Sequence, residues 1–246
     1  MKTFFKRLVL MFQFFTRIPI PVALSCGNED FGKGLALSPL VGLFIGGVLY
    51  GGYTLAGLVF PPMISAVLTV LLYVAITGGL HIDGLADTFD GLLAGKDRER
   101  TLEIMKDSRI GTHGAVSVIL LLLFYVVLLP EIHALALLLM PVAGKTGALV
   151  CAAISRYARE QGLGKHFIDH CGIKELFIGI TLVFLSFYVF FSLKGIVLAF
   201  ISVVTAWLLT LALTRKVRGA TGDILGATAE LNQVLFLLAA FFLAGV

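Results

Sequence analysis

Long apolar runs dominate this chain, and short polar stretches separate them. Runs long enough to cross a bilayer lie at about 35–59, 62–82, 114–130, 133–155, 175–192, 195–213 and 224–245. A helix needs about 20 predominantly apolar residues to span the hydrocarbon core. The pattern therefore predicts an all-α, polytopic membrane bundle with about seven transmembrane helices, formed by residues 1–246 as a single integral-membrane domain. The runs 175–192 and 195–213 also fit a re-entrant pair.

The first 20 residues follow a different pattern. Basic residues at Lys2, Lys6 and Arg7 alternate with apolar ones, and Pro19 is among the residues that interrupt the apolar stretch. A cleaved signal peptide would keep that stretch uninterrupted up to a cleavage site. The segment 1–20 is therefore predicted to be an interfacial amphipathic helix, with its basic side chains at the lipid headgroups.

Composition and charge support a membrane protein. The chain is 59% hydrophobic and 14% charged, whereas about 25% charged residues is usual for a soluble domain. The net charge of +4 could suggest nucleic-acid binding, but the basic residues lie at the ends of apolar runs, where they specify topology. They precede the first run and follow the second, fourth and sixth, and only Lys194 lies in a loop on the opposite side. We expect no nucleic-acid partner, a cytoplasmic N-terminus and an external C-terminus.

The distinctive polar sequence lies in three segments, 83–113, 156–174 and 214–223, all predicted to be cytoplasmic and to form an active site. In the first, Asp83, Asp87 and Asp90 share one helix face, because they fall within about 60° at 3.6 residues per turn. Three carboxylates so close repel one another unless a cation lies between them. Oxygen ligands suit Mg²⁺, which commonly also binds a substrate phosphate. The alternative is a solvated helix end whose acidic residues complement the helix dipole.

Each polar segment also combines basic residues with glycines. The stretch 106–114 ends at a predicted helix start, where free backbone N–H groups favour a phosphate. A fourth carboxylate, Asp223, opens the last apolar run. A single such loop is typical of a topological signal, but three facing one acidic helix favour a polyphosphate site in which Mg²⁺ and cations neutralise phosphate charge. The candidate phosphate-binding residues are Lys106, Arg109, Gly111, Arg156, Lys165 and Arg218.

Few polar residues occur within the predicted spans. Glu230 in the last run is a candidate site residue, since ionisable groups at membrane depth usually face a bundle interior or a cavity. Lys145 is a second candidate, with an even alternative that it only pairs with a carboxylate such as Glu230. In the first run, Gly42-x-x-x-Gly46 and Gly47-x-x-x-Gly51 have the spacing that permits close helix contact in lipid.

Five motifs together resemble the cobalamin synthase (adenosylcobinamide-GDP ribazoletransferase) family. The most specific is DGLADTFDG at 83–91, and the others are FTRIP at 15–19, IMKDSRIGT at 104–112, REQGLG at 159–164 and TGDILGA at 221–227. The resemblance implies an Mg²⁺-dependent transferase of the bacterial inner membrane, with adenosylcobinamide-GDP and α-ribazole, or its 5′-phosphate, as substrates. The acceptor hydroxyl would attack the phosphate on the cobinamide arm and release GMP. Asp83, Asp87 and Asp90 would hold the metal, and Asp90 or Asp223 would be the catalytic base.

Two alternatives stay open at this point. Residues 87–94 match the first half of the CDP-alcohol phosphotransferase motif D-x-x-D-G-x-x-A-R, but Gly95 replaces the arginine and the second half does not follow. A transporter would place its polar residues near the bilayer midplane, whereas here they gather at one interface.

Overall fold

The computed structural model describes residues 2–244, and over that range the chain forms helices and no β-strand. Met1 and Gly245, which belong to the predicted segments 1–20 and 224–245, lie outside the described residues. One short 3₁₀ turn, Leu129–Glu131, follows α7. The α-helices are α1 (Lys2–Phe15), α2 (Asn28–Leu35), α3 (Ser38–Ala56), α4 (Pro62–Thr77), α5 (Leu80–Ala94), α6 (Arg98–Ile104), α7 (Thr112–Leu128), α8 (Ala136–Ile154), α9 (Leu163–Asp169), α10 (Ile173–Thr214) and α11 (Gly222–Ala244).

Five described helices are long and apolar enough to cross a membrane, namely α3, α7 with its 3₁₀ turn, α8, α10 and α11. A sixth span results if α4 and α5 are counted together as one broken span. The all-α membrane bundle is thus confirmed, while the number of seven spans stays a prediction. The N-terminal helix ends at Phe15 rather than near residue 20.

α10 is one continuous segment of 42 residues, but it reverses direction in its middle. Ser192 has φ of 51° and ψ of −130°, outside the helical region. A side chain added at Gly195 would collide with the backbone carbonyl of Phe187. In a straight helix these residues would lie about 12 Å apart along the axis, so the two arms fold back on each other. The break lies at the last residue of the predicted run 175–192, just before the run 195–213.

The predicted span 62–82 is wrong at its end. Gly78 and Gly79 adopt φ of 64° and 68°, a left-handed conformation that glycine reaches without steric cost and that ends helices. α4 therefore stops at Thr77, and α5 leaves at an angle of 91°. If α4 runs along the membrane normal, α5 must run along the membrane surface. This bend places the three aspartates of α5 on a separate helix from the apolar run.

α8 forms the centre of the bundle and packs against α3, α10 and α11. Its contact with α3 depends on small residues: a Cβ at Gly42 would lie 2.8 Å from the Pro141 carbonyl oxygen, and one at Gly46 would meet the Leu138 backbone. By contrast, Gly47 and Gly51 have open space within 4 Å of such a Cβ. Only the first of the two glycine motifs therefore forms a close helix contact.

Several polar side chains inside the bundle contact one another. Tyr73 and Tyr125 each donate a hydrogen bond of 2.6 Å to the Glu230 carboxylate. The Lys145 Nζ lies 2.9 Å from His81 Nε2 and 3.8 Å from the ring centroid of Phe15. Lys145 thus contacts His81 rather than Glu230, and the direct ion pair considered from the sequence is not formed. A buried polar network of this kind holds helices together.

An ion-pair cluster ties the N-terminal helices together. The buried Asp30 carboxylate accepts hydrogen bonds from Lys6 Nζ at 2.6 Å, from Arg7 Nε at 3.0 Å and from the Gly27 amide at 3.1 Å. Burial alone would raise the pKa of Asp30, but the bonds from Lys6 and Arg7 hold it at about 2. Asp30 is therefore a structural carboxylate that fixes α2 against α1.

Candidate active site

The three polar segments meet at one end of the bundle, where arginine side chains bind backbone carbonyls. Arg98, at the start of α6, donates from Nε to the Val217 carbonyl at 3.0 Å and from Nη2 to the Ala158 carbonyl at 2.7 Å. One side chain thus connects the segment after α5, the loop after α8 and the loop before α11. We call the surface formed by residues 83–111, 155–169 and 214–223 the polar face.

Backbone pairing reinforces this assembly. The Ala158 amide donates to the Ala220 carbonyl and the Ala220 amide donates to the Arg156 carbonyl, both at 2.9 Å. Lys216 Nζ donates to the Leu92 carbonyl at 2.7 Å, near the end of α5. A cation at a helix C-terminus also interacts favourably with the helix dipole. The segments of the polar face are therefore held together by hydrogen bonds and are not independent solvated loops.

Carboxylates from two helices come together at its centre. Asp83 and Asp87 project from α5, and Asp223 lies in the first turn of α11. The helices approach closely because Gly84 lacks a side chain: a Cβ there would lie 2.9 Å from the Asp223 carbonyl oxygen. Arg159 then donates from Nη2 to Asp223 Oδ2 at 2.9 Å and to the Met105 carbonyl at 3.3 Å.

The charge of this group is acidic overall. Burial, and then the neighbouring carboxylates of Asp223 and Asp83, raise the pKa of Asp87 to about 7, against the opposing effect of Arg159. Since part of this shift comes from like charge, a cation placed here would relieve the repulsion among the carboxylates.

Asp90 has a different environment from the other two aspartates of α5. It is buried, and its two oxygens accept hydrogen bonds from the Gly111 amide at 2.7 Å and the Gly114 amide at 2.8 Å. A Cβ at either glycine would collide with this carboxylate. The sequence predicted that the helix start near Gly111 binds a phosphate. In this structure the anion at the start of α7 is the carboxylate of Asp90.

The acidic group is not a closed metal cage. Across residues 2–244, no three Asp, Glu, His or Cys side chains are grouped closely enough to hold a metal ion by themselves. Mg²⁺ usually needs only one or two carboxylates and completes its shell with waters and substrate phosphates. The donor set fits this requirement, because Asp83 is exposed, Asp87 is half-buried and both carry oxygen ligands only. The metal roles of Asp83, Asp87 and Asp90 stay predictions.

The predicted phosphate-binding cations lie at the rim of the polar face. Arg109 is largely exposed and pairs with Asp107 at 2.7 Å. Arg156 is exposed and donates from Nε to the Arg218 carbonyl at 2.9 Å, while Arg218 itself has φ of 56°. Lys165 donates to the Glu160 carbonyl at 3.2 Å, and Lys106 is exposed. In this structure these cations contact protein groups or solvent.

A cavity of about 230 Å³ opens beside the acidic group. Asp83, Arg159 and Asp223 belong to its lining on one side, and aromatic and aliphatic side chains form the rest. The cavity lies between α1, α2, the start of α5, α8, α9 and the start of α11. The polar face therefore has a recess with both a charged and an apolar wall.

The sequence reasoning did not select three residues that organise the site. Arg159 was visible in the motif at 159–164, but nothing in its spacing indicated a partner 64 residues away. Arg98 and Lys216 belong to basic clusters, which in membrane proteins usually determine topology. In the structure both side chains also donate hydrogen bonds to backbone carbonyls. Arg159 is the member of these three that contacts the acidic group.

Comparisons with known proteins agree with this picture. Residues 7–241 match the family described as cobalamin-5-phosphate synthase. The adenosylcobinamide-GDP ribazoletransferase of Clostridium acetobutylicum is 47% identical over 97% of this chain and 96% of its own length. The protein of the same name from Acetivibrio thermocellus is 46% identical over 96% of this chain and 97% of its own length. No solved structure is significantly similar to the chain.

Proposed function

The chain belongs to the cobalamin-5-phosphate synthase family, and from this premise we propose that it joins adenosylcobinamide-GDP to α-ribazole or to α-ribazole 5′-phosphate. The acceptor hydroxyl oxygen forms a new bond to the phosphorus on the cobinamide arm, and the P–O bond to GMP breaks. The products are GMP and adenosylcobalamin or its 5′-phosphate. The observation that best supports this proposal is that Asp83, Asp223 and Arg159 line one cavity, with Asp87 near enough for the charges of Asp223 and Asp83 to raise its pKa.

The residues of the polar face suit the two phosphates of the donor. Lys106, Arg109, Arg156, Lys165 and Arg218 are the candidates to neutralise non-bridging oxygens from the rim. Asp83 and Asp87 are the candidates to hold Mg²⁺, and Asp90 lies next to them on the same helix. Bound there, Mg²⁺ would supply positive charge against the diphosphate and the departing GMP. The Gly111 amide is already hydrogen-bonded to Asp90, so this geometry does not favour a phosphate at Gly111.

Of the two predicted bases, Asp223 has the more suitable position. It lies in the cavity lining, and Arg159 fixes one of its oxygens at 2.9 Å. The other oxygen is left to accept the proton of the attacking hydroxyl. Both Asp90 oxygens already accept backbone N–H groups. Arg159 orients Asp223 in this scheme, and GMP leaves without needing a proton from an acid.

The charge distribution supports a cytoplasmic location for the site. The polar face carries most of the basic residues, which in membrane proteins mark the cytoplasmic side. We therefore place the N-terminus and the active site at the cytoplasmic surface of the bacterial inner membrane.

The test is a reaction with purified protein in lipid nanodiscs. Protein, adenosylcobinamide-GDP and α-ribazole are mixed with and without Mg²⁺, and GMP and the corrinoid product are quantified by chromatography. We expect equal amounts of GMP and joined corrinoid, formed only when α-ribazole and Mg²⁺ are both present. GMP release without α-ribazole would mean hydrolysis, and turnover in EDTA would remove the metal from the scheme.

A further inference from the structure

The cavity beside the acidic group has an aromatic wall that the proposed phosphate chemistry does not use. Phe14, Phe15 and Phe167 belong to its lining, with the Phe14 and Phe167 ring centroids 4.7 Å apart. Leu163 lies at the exposed edge of the lining and is 53% exposed. Such surfaces favour a flat apolar group, because aromatic rings gain both from burial and from stacking or edge contacts.

The uncharged polar side chains in the lining are already engaged. His81 is hydrogen-bonded to Lys145 through Nε2, and the Tyr157 hydroxyl donates to the Gln161 carbonyl at 3.2 Å. The charged groups, Asp83, Arg159 and Asp223, belong to the acidic group itself. A ligand in this cavity therefore has an apolar end among the rings and a polar end beside the carboxylates.

On the basis of the proposed function, we infer that this cavity is the acceptor site and that Phe14, Phe15, Phe167 and Leu163 bind the bicyclic aromatic base of α-ribazole. The ribose attached to that base then lies at the charged side of the cavity, with its hydroxyl directed to Asp223. The same placement sets the acceptor in contact with the donor phosphates held at the polar face.

The other parts of the substrates do not fit this space. A volume of about 230 Å³ is below the range of about 300–1,000 Å³ usual for drug-sized ligands, so the cavity has room for a bicyclic base, with its ribose at the opening, but not for a corrin ring. Guanine carries an exocyclic amine and a carbonyl, which would lose their hydrogen bonds to water among phenylalanines, and an unpaired buried polar group is costly. The base of α-ribazole lacks both groups and has a single ring nitrogen as acceptor, so its desolvation penalty is smaller than that of guanine.

The test measures the Michaelis constants of both substrates in Leu163→Trp and Phe14→Leu variants. Leu163→Trp should fold normally because the side chain is exposed, and it narrows the cavity. Phe14→Leu removes a ring from the wall. We expect KM for α-ribazole to rise about tenfold in each, with KM for adenosylcobinamide-GDP unchanged. Free 5,6-dimethylbenzimidazole, the base of α-ribazole without its ribose, should inhibit competitively against α-ribazole, and guanosine should not.

Phe31→Leu is the matched control, because Phe31 packs edge-on against Phe167 at 5.4 Å without lining the cavity. It should leave both KM values unchanged. The inference is overturned if the wild type turns over but neither variant changes KM for α-ribazole, or if Phe31→Leu changes it equally. It is also overturned if the variants alter only the phospholipid that co-purifies, which would identify an acyl chain as the occupant. Absence of turnover in the wild type would instead contradict the proposed function.

Discussion

Arg159 and Asp223, 64 residues apart in sequence, form a 2.9 Å hydrogen-bonded ion pair between the loop after α8 and the first turn of α11. Both side chains are mostly buried, with 14% and 24% of their surfaces exposed. An ion pair screened from water in this way holds its geometry better than an exposed one. It fixes Asp223 beside the carboxylates of α5.

Replacing Arg159 should therefore impair catalysis more than folding. We expect Arg159→Ala to lower kcat/KM by about 100-fold or more, the loss usual for one well-placed charged donor. Arg159→Lys should give an intermediate kcat/KM. A lysine ammonium can pair with Asp223, but it lacks the planar guanidinium that also donates to the Met105 carbonyl. Steady-state GMP release measures both variants. Arg100→Ala is the control, since Arg100 is exposed and pairs only with Glu103 in α6; an equal loss there would refute a specific role for Arg159.

Asp87 and Asp83 should differ in how they respond to loss of charge. Asp87 is half-buried among carboxylates, so Asp87→Asn should abolish turnover while the protein stays folded in the membrane. Asp83 is exposed, and Asp83→Asn should keep some activity but need about tenfold more Mg²⁺ for half-maximal rate. Mg²⁺ titration of GMP release distinguishes the two, with Glu99→Gln as a control for charge alone. Near-normal activity of Asp87→Asn would contradict its role as a metal ligand.

Asp90 should behave as the cap of α7. Asp90→Ala leaves the amides of Gly111 and Gly114 without a partner, which costs about 1–3 kcal/mol. We expect faster tryptic cleavage at Lys106 or Arg109 in this variant, together with a lower melting temperature in detergent. Asp90→Asn keeps one strong acceptor and should be milder in both measurements. If Asp90→Asn instead keeps the wild-type melting temperature and mainly raises the Mg²⁺ requirement, Asp90 is a metal ligand, as the sequence predicted.

These cases show where sequence reasoning reaches its limit. Apolar runs predict most of the bundle, because an uninterrupted stretch of about 20 apolar residues is typical of a membrane-spanning helix. The predicted end of the second run, at residue 82, is wrong because the pattern counts Gly78 and Gly79 as apolar residues. In the structure this glycine pair ends the helix. Helical spacing placed Asp83, Asp87 and Asp90 on one face. It could not indicate that α7 begins beside Asp90, because that contact depends on how α5 and α7 pack.

The Asp30 cluster gives a pH-dependent prediction for stability. The pKa of the Asp30 carboxyl group is lowered to about 2 in the folded protein, whereas in the unfolded chain it is about 4. The ionised carboxylate therefore stabilises the fold above about pH 4, and this stabilisation is lost as the pH falls towards 2. Asp30→Asn should lose about 2 kcal/mol at neutral pH. The melting temperatures of variant and wild type in detergent should therefore converge between pH 4 and pH 2. A constant difference over that range would show that the charge of Asp30 does not cause the effect.

Gly84 allows the close approach of α5 to α11, and substituting alanine for it tests whether this approach is required. In Gly84→Ala the new Cβ would lie 2.9–3.3 Å from three backbone atoms of Asp223, and these atoms belong to a helix that cannot move without displacing Arg159. We expect a loss of activity of about tenfold or more, because small misplacements of catalytic groups are costly. Gly47→Ala is the matched control: it is also in a helix interior but has open space around the new Cβ. That change should raise stability by about 0.5–1 kcal/mol through helix propensity, with unchanged GMP release. Equal activity of the two variants would mean that the close approach of α5 to α11 is not required for the reaction.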